Sequence, residues 1–572
     1  MRKQFKIAAI VSAAALLAIG ASMTSFAVTG WQEEDGSWVY YNRSGERVSD
    51  EWEKSGSNWF YLDDDGTMAT DKLIEYNDNY YYVDVNGAMV TNQWVAIDNE
   101  DAGEEDQPDV WWYYFQGNGK AYKNNHSSGN IFKKAINGKT YCFDEDGKMQ
   151  YGWVGHDDGT TNYDDDAYAQ CEYYFGDEND GAMTVGWREI ALTDVADAED
   201  DQPGDSFWDE DQVRWFWFKS SGKKQTSKTN KAINGRKYGF DETGRMIADW
   251  YSASYNDGLS TASRRGTTNK AVVDDIIDNA RTFMYFSSPE DGARYTKGWF
   301  KVVPGYYLNY GDYDDSNNRW FYADGQGKIY AGQIKSIKGK KYAFDLKGGM
   351  ISGLAILRVD QSNQIYEYLA DDGAFPYDTE DNFDDTVAAI VTDDYGLDGT
   401  MYAVYYFSDD ADHDGTMKTG TQRVVIDGDT LTFKFKKSGT KKGQGVTGYS
   451  DKKYYLGGKL LKADSDNKIE VIGIGASNWL DKMTVSELID DLGLVALTLD
   501  EKEKAGKARE DDSVYVPAGG TIADWDITAL TKDQYVVVNT SGSVVKSGTK
   551  KDGEGIKVVL NNKAIQEIYA ED

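Results

Sequence analysis

An aromatic strand followed by a glycine at a fixed distance recurs along this chain, and that repeat restricts the possible folds more than any other feature. Trp38-Val39-Tyr40-Tyr41 leads to Gly45, Trp59-Phe60-Tyr61-Leu62 to Gly66 and Tyr80-Tyr81-Tyr82-Val83 to Gly87, each start 21 residues after the last. The same seven-residue offset joins Trp112 to Gly119, Thr140 to Gly147, Trp215 to Gly222 and Lys237 to Gly244. It continues from Trp320 to Gly327, Lys341 to Gly348, Thr432 to Gly439 and, faintly, Tyr535 to Gly542. Self-similarity at so short a period marks an array of small units, none of which can bury an apolar face alone.

Each unit reads as a β-hairpin. Aromatic residues favour strands, and a polar turn such as Asp63-Asp64-Asp65-Gly66 ends on a glycine free to take positive φ. A short second strand follows, as in Thr67-Met68-Ala69-Thr70. One hairpin is marginally stable in water, so each must stack its aromatic face on the next. The expected fold is all-β: a β-solenoid of stacked β-hairpin repeats.

A longer period lies above the short one. Trp112, Trp215 and Trp320 open similar blocks 103 and 105 residues apart. Each continues through a short unit (Ala135-Ile136-Asn137-Gly138-Lys139, Ala232-Ile233-Asn234-Gly235-Arg236, Ser336-Ile337-Lys338-Gly339-Lys340). A third hairpin closes each, near Tyr173-Tyr174-Phe175, Met284-Tyr285-Phe286 and Tyr405-Tyr406-Phe407, and a fourth copy begins at Thr432-Phe433-Lys434-Phe435. The expected organisation is a leader of short repeats over 28–94, about four long blocks over 95–470 and a diverged region over 471–572. Short helices are expected near 271–283 and 484–510, the latter because Thr484 and Glu487 have capping-box spacing.

Composition narrows the function. With 61 Lys and Arg against 97 Asp and Glu the net charge is -36, which opposes nucleic acid as a partner. Three histidines and two cysteines give no zinc cluster and no evident Ser/His or Cys/His pair, so no catalytic residue, metal or cofactor is expected. The acidic runs Asp98 to Asp109 and Asp194 to Asp211 read as solvated insertion loops. Asp410, Asp412, Asp414 and Gly415 match the start of a calcium loop, but Thr421 stands where its bidentate Glu belongs, and an ordinary turn is expected. Cys142 and Cys171 permit one disulfide or two buried thiols.

Residues 1–27 read as a secretory signal: Arg2, Lys3 and Lys6, an apolar stretch from Ile7 to Ile19, then Ser25-Phe26-Ala27. The stretch is shorter than the ~20 residues of a spanning helix, so cleavage is expected over anchoring. The C-terminus, Gln566 to Asp572, is polar and carries no sorting motif, so attachment to a surface is expected to be non-covalent.

Units such as Gly30-Trp31 with Trp38-Val39-Tyr40-Tyr41-Asn42 and Gly45, and Tyr141-Cys142-Phe143-Asp144-Glu145-Asp146-Gly147-Lys148-Met149-Gln150-Tyr151-Gly152-Trp153, resemble the cell-wall-binding repeats of Gram-positive surface proteins. These include choline-binding modules, streptococcal glucan-binding domains and the C-terminal repeats of large clostridial toxins. The resemblance covers residues 30–460. It implies ligand sites between hairpins, where aromatic side chains and a Met cage a quaternary ammonium that π faces attract. Carried onto this chain, Trp38, Trp52, Trp59 and Met68 fall at cage positions with Tyr61 nearby, and Trp59, Tyr80, Met89 and Trp94 form a second set. Later units depart from the pattern: Thr140, Lys237 and Lys341 replace the hairpin Trp, and Leu354 a closing Trp. Stacking on sugar faces would survive those changes better than choline binding. Without a ligand, the same aromatics are core, and Met68, Met89, Met149, Met183, Met246 and Met350 fill gaps between layers.

The expected function is a secreted, non-catalytic surface protein held on a cell-wall polymer, whether teichoic-acid choline, glucan or another glycan. The alternatives are a wall-targeted hydrolase and an adhesin for host glycans.

Overall fold

The computed structural model describes residues 29–571, apart from 105–106, 126–130, 156–158, 193–211, 253, 255–269, 370–375, 393, 410–414, 476–479, 498–511, 520–529 and 531–532. The expected signal at 1–27, the acidic run after Asp194 and the Asp410 turn therefore lie outside the described residues.

The short repeats are antiparallel hairpins. Gly30–Glu34 pairs with Ser37–Tyr41, Glu51–Ser55 with Asn58–Leu62, Lys72–Tyr76 with Asn79–Val83, and Gln93–Asp98 with Val110–Phe115. In the turn after each aromatic strand the glycine N–H closes onto the carbonyl three residues before it, as from Gly66 to Asp63 at 2.8 Å and from Gly119 to Gln116 at 2.9 Å. The chain then runs back to the previous hairpin. The Met68 N–H donates to the Trp38 carbonyl at 2.7 Å, Met89 to Trp59 at 2.8 Å and Ala121 to Tyr80 at 2.8 Å. Each unit is thereby tied by backbone to the one before it.

Side chains repeat the tie. A Cβ built on Gly87 would stand 2.8 Å from Met68 Cε, and one on Gly119 would stand 2.4 Å from Met89 Sδ. Met183 fills the same place under Gly222, Met246 under Gly292, Met350 under Gly415 and Met417 under Gly443. A flexible thioether suits an irregular gap of this kind, which accounts for the recurrence of Met at this position.

The chain divides into two compact units, residues up to 248 with 288–293, and 249–287 with 294–572. The first is a run of small aromatic clusters, such as Tyr61, Ala69, Ile74 and Val83 with Trp52 and Tyr81 packed on them. In the second the sheets grow. Gly353–Asp360 lies between Ile365–Leu369 and Thr400–Phe407, and Gly420–Ile426 and Asp429–Phe435 join a five-stranded sheet. Its main core is aliphatic and joins Ile356, Val387, Val404 and Phe433 to Ile472, Val536 and Val538.

All-β architecture is observed; most sheets are two-stranded hairpins and none of them closes. Helices are few and short. Lys270–Ala280 matches the helix expected near 271–283. The one expected over 484–510 is shorter: Val485–Asp491 carries the Thr484–Glu487 capping box, then Gly493 takes φ of +60° and Leu494–Ala496 turns into strand. The helix Glu380–Ile390 was not expected, although Thr379 caps it and Phe383, Thr386 and Val387 bury one face. Among the described residues no helix is long and apolar enough to cross a membrane.

Candidate functional site

Alternation along a strand divides the aromatic triplets between two faces. In the hairpin Glu51–Leu62 the cross-strand pairs Trp52–Tyr61 and Lys54–Trp59 share one face, with Phe60 on the other. The Trp52 ring lies 5.2 Å from Tyr61 and 5.2 Å from Tyr81 of the next hairpin. The layer between these two hairpins therefore holds Trp52, Trp59, Tyr61 and Tyr81, with the Met89 N–H bonded to the Trp59 carbonyl at its edge. The layer before it holds Trp31 against Tyr40 and Phe60, at 5.3 and 5.4 Å, with Trp38 on the same strand face as Tyr40. Met68 borders that earlier layer.

The structure thus groups the expected residues differently from either set. Trp38 and Met68 belong to one layer, and Trp52, Trp59, Tyr61 and Met89 to the next. Tyr80 and Trp94 fall in later layers. Sequence reasoning missed Tyr81, which completes the layer around Trp52. The signal was available: within Tyr80-Tyr81-Tyr82 only the middle ring points back at the preceding hairpin.

The two tryptophans of this layer differ in surroundings. Trp52 is wedged between rings, and its Nε1 is buried without a hydrogen-bond partner. The same wedge recurs for Trp94 on Tyr114 and Tyr141, Trp187 on Trp217 and Tyr238, and Trp299 on Tyr322 and Tyr342. Trp59 is 40% exposed, the most open tryptophan among the described residues. Its ring face is approached by the Lys54 ammonium at 5.6 Å. Burial raises the Tyr61 and Tyr81 hydroxyls above the usual phenol range, so both stay neutral donors at neutral pH.

Later layers hold the protein's own cations. The Lys123 ammonium stands 5.3 Å over the Tyr80 ring, paired with Asp78 at 3.0 Å. Lys224 is more deeply placed: it is 6% exposed, its stem fills the space under Gly244 where other units put Met, and its ammonium lies 5.2 Å over Trp153. It donates to the Tyr168 carbonyl, and burial lowers its pKa to about 8.

Cys142 and Cys171 are two separate buried thiols, and burial pushes that of Cys142 up to about 12. Among the described residues no three His, Cys, Asp or Glu side chains come together to hold a metal ion.

Residues 48–94, the stretch that includes the Trp52–Trp59 layer, match the family described as choline-binding repeat. Among solved structures, the modular autolysin LytC of Streptococcus pneumoniae is similar at 16% identity over 57% of this chain and 54% of its own, with a TM-score of 0.30. The choline-binding domain of CbpL from the same organism is similar at 21% identity over 39% of this chain and 88% of its own, with a TM-score of 0.24. CbpF, solved in complex with ipratropium, is similar at 16% identity over 73% of this chain and 100% of its own, with a TM-score of 0.25. The chain spans about half the length of the LytC structure. No curated protein matches the sequence.

Proposed function

We propose that the repeats of this chain hold it non-covalently on a cell-wall polymer, with the Trp52–Trp59 layer taking a quaternary ammonium such as choline. The observation that carries this reading is Trp59: an indole left 40% exposed on the hairpin face that also carries Trp52 and Tyr61, inside a stretch that matches choline-binding repeats. A trimethylammonium group has no donor to satisfy, so ring faces are its natural contacts, at about 0.5–2 kcal/mol each. A net charge of -36 draws cations towards the surface. Further repeats add weak sites, and sites on one chain act together by avidity.

In the same reading the stacked hairpins form a solenoid, the leader is 28–94, the blocks run over 95–470, and 471–572 closes the array. The protein is secreted after loss of 1–27, stays on the wall surface and catalyses nothing. The expected cage residues Trp38, Trp52, Trp59, Tyr61, Met68, Tyr80, Met89 and Trp94 then divide as the layers do, with Tyr81 added.

The test is retention of the mature protein on choline-agarose and on purified walls, with elution by free choline. Trp59→Ala is expected to weaken retention roughly 2–30-fold, the equivalent of one lost cation–π wall. Retention on walls that free choline cannot reverse, and that Trp59→Ala leaves intact, would assign wall binding to sugar stacking instead. Zymography on the same walls tests the hydrolase alternative, and a cleared band would establish it.

A further inference from the structure

Lys341 stands where the leader has Trp59. The Met417 N–H donates to the Lys341 carbonyl at 2.7 Å, as the Met89 N–H does to that of Trp59. Met417 then lies under Gly443, as Met89 lies under Gly119. Across its hairpin Lys341 faces Ser336, where Trp59 faces Lys54. At the same point of the repeat, an indole that attracts cations is replaced by an ammonium that attracts anions.

The charges around Lys341 run the same way. Residues 430–463 hold nine lysines, one acidic residue and no arginine, on a chain whose net charge is -36. Four of these lysines lie in one closed turn. There the Gly443 N–H donates to the Lys436 carbonyl at 2.9 Å and the Gln444 N–H to that of Lys441 at 3.1 Å. Lys437 and Lys442 are exposed on this turn. Burial and then the Lys442 charge lower the Lys341 ammonium below the usual lysine range, so the two cations stand near each other. Asp451, the one acidic residue of the segment, pairs with Lys434 at 2.5 Å. Lys437 also acts on that carboxyl, which ties the turn to the hairpin tip at Asp451-Lys452. The Lys453 ammonium donates to a neutral group, the Ser541 carbonyl, at 2.6 Å. Asp533 acts on Tyr454, which alternation puts on the opposite face of the strand from Lys453. Lys459 takes no part, being buried between Glu380 and Asp384. The ammoniums of Lys341, Lys434, Lys437, Lys442, Lys452 and Lys453 thus far outweigh the Asp451 carboxylate.

Lysines without arginine suit phosphate better than carboxylate. The guanidinium fork matches a planar carboxylate, whereas an ammonium acts as a point charge. Spread along a turn and a hairpin tip, these lysines suit a row of charges rather than a single ion. We infer, on the wall attachment proposed above, that this lysine face binds the phosphodiester groups of the wall polymer, on residues separate from the leader layer.

The first probe is long-chain inorganic polyphosphate, titrated into the full mature chain. It is expected to bind, and to lose on the order of tenfold in affinity between about 50 and 200 mM salt as counterions are released. Lys437→Glu combined with Lys442→Glu, both at exposed positions, is expected to weaken that binding at least about tenfold. The melting curve and choline-agarose retention should stay unchanged in this variant. Arginine at both positions should keep polyphosphate binding, and Trp59→Ala should leave it as it is. The second probe is the concentration of free choline that elutes the chain from purified walls and from choline-agarose. Elution from walls is expected to need severalfold more choline at low salt than at high salt or in the Glu variant, while elution from choline-agarose needs the same amount throughout. Absence of polyphosphate binding, or binding that the Glu variant keeps, would overturn the inference. So would wall elution that neither salt nor the variant shifts, or tighter binding to single-stranded DNA than to extracted wall polymer. Choline-agarose retention of the same sample reports the leader independently, so either site can fail alone.

Discussion

Trp52 and Trp59 lie on one face of one hairpin, yet they have opposite environments, and that contrast makes them a useful pair. Trp52 is wedged between Tyr61 and Tyr81, so Trp52→Ala empties a layer. Large-to-small changes of this kind cost about 3–5 kcal/mol, reduced here because the ring is half-buried rather than enclosed. Trp59 is 40% exposed, with the Lys54 ammonium 5.6 Å from its ring centroid. Its loss should change stability by about 0.5 kcal/mol or less, the range of ordinary surface substitutions. Urea denaturation of the two variants checks this, and comparable destabilisation by Trp59→Ala would make it a core residue rather than a ligand contact. Lys54 adds a second test. An ammonium already near the Trp59 face competes with a ligand cation, so Lys54→Ala is expected to tighten choline binding severalfold. Weaker binding in that variant would mean the lysine supports the site.

Between units, the contact that recurs is a side chain under the next turn glycine. Gly87 takes φ of +79° and leaves its Cβ position 2.8 Å from Met68 Cε. Gly87→Ala therefore meets both a backbone penalty and a clash, and is expected to cost about 1–3 kcal/mol. In a Met68→Ala background part of that cost should vanish, because the clash is relieved while the φ penalty remains. A double-mutant cycle measures the difference, and strict additivity would show that the two residues do not touch. Not every rung is a methionine: Arg47 lies under Gly66, Arg294 under Gly327 and Lys224 under Gly244, and of these Lys224 is the lysine. Its pKa falls to about 8 on burial, so in the pH range from about 8 to 10.5 the unfolded chain holds the extra proton and stability rises with pH. Below that window the buried charge is a standing cost. Lys224→Met should remove the pH dependence and stabilise the first unit at pH 7 by about 1–3 kcal/mol. A variant that melts lower at pH 7 would show that the Tyr168 and Trp153 contacts outweigh the desolvation.

At the scale of the molecule, the two units are held by different chemistry. The first is layered, with each aromatic cluster spanning neighbouring hairpins only. The second has a continuous aliphatic core in which Phe383 and Val387, from an inserted helix, meet Phe433, Ile472 and Val538. The strand Ile469–Ile474 pairs with Tyr535–Asn539, and both sides of that pairing are buried. The last hundred residues are therefore built into the core that begins near Ile356. A chain truncated after 470 is expected to lose the cooperative melting of the second unit while choline-agarose retention through the leader persists. Calorimetry and pull-down on that truncation check both halves of the statement. An unchanged second transition would make the C-terminal region a separate domain.

The hairpins, their turns and their order were legible in the sequence because they depend on local features: strand alternation, a glycine seven residues on, and polar turn residues between. The capping box at Thr484 was legible for the same reason, and helix length was not, since Gly493 and the following strand end it. The helix at Glu380–Ile390 was hidden inside an insertion between Ile365–Leu369 and Thr400–Phe407, which lie on either side of Gly353–Asp360 in one sheet. Which aromatic rings share a layer could not be read from spacing alone. The expected sets carried over the cage positions of the repeats this chain resembles, but alternation sends Trp59 and Phe60 to opposite faces, and stacking then pairs Trp52 with Tyr81. Chain order therefore determined the repeating unit. Only the tertiary stack decided how far each ring is exposed and which of the protein's own lysines stands over it: Lys54 over Trp59, Lys123 over Tyr80 and Lys224 over Trp153. The reason is physical: a hairpin forms from contacts between neighbours in sequence, whereas a site exists only where a second hairpin supplies its other wall.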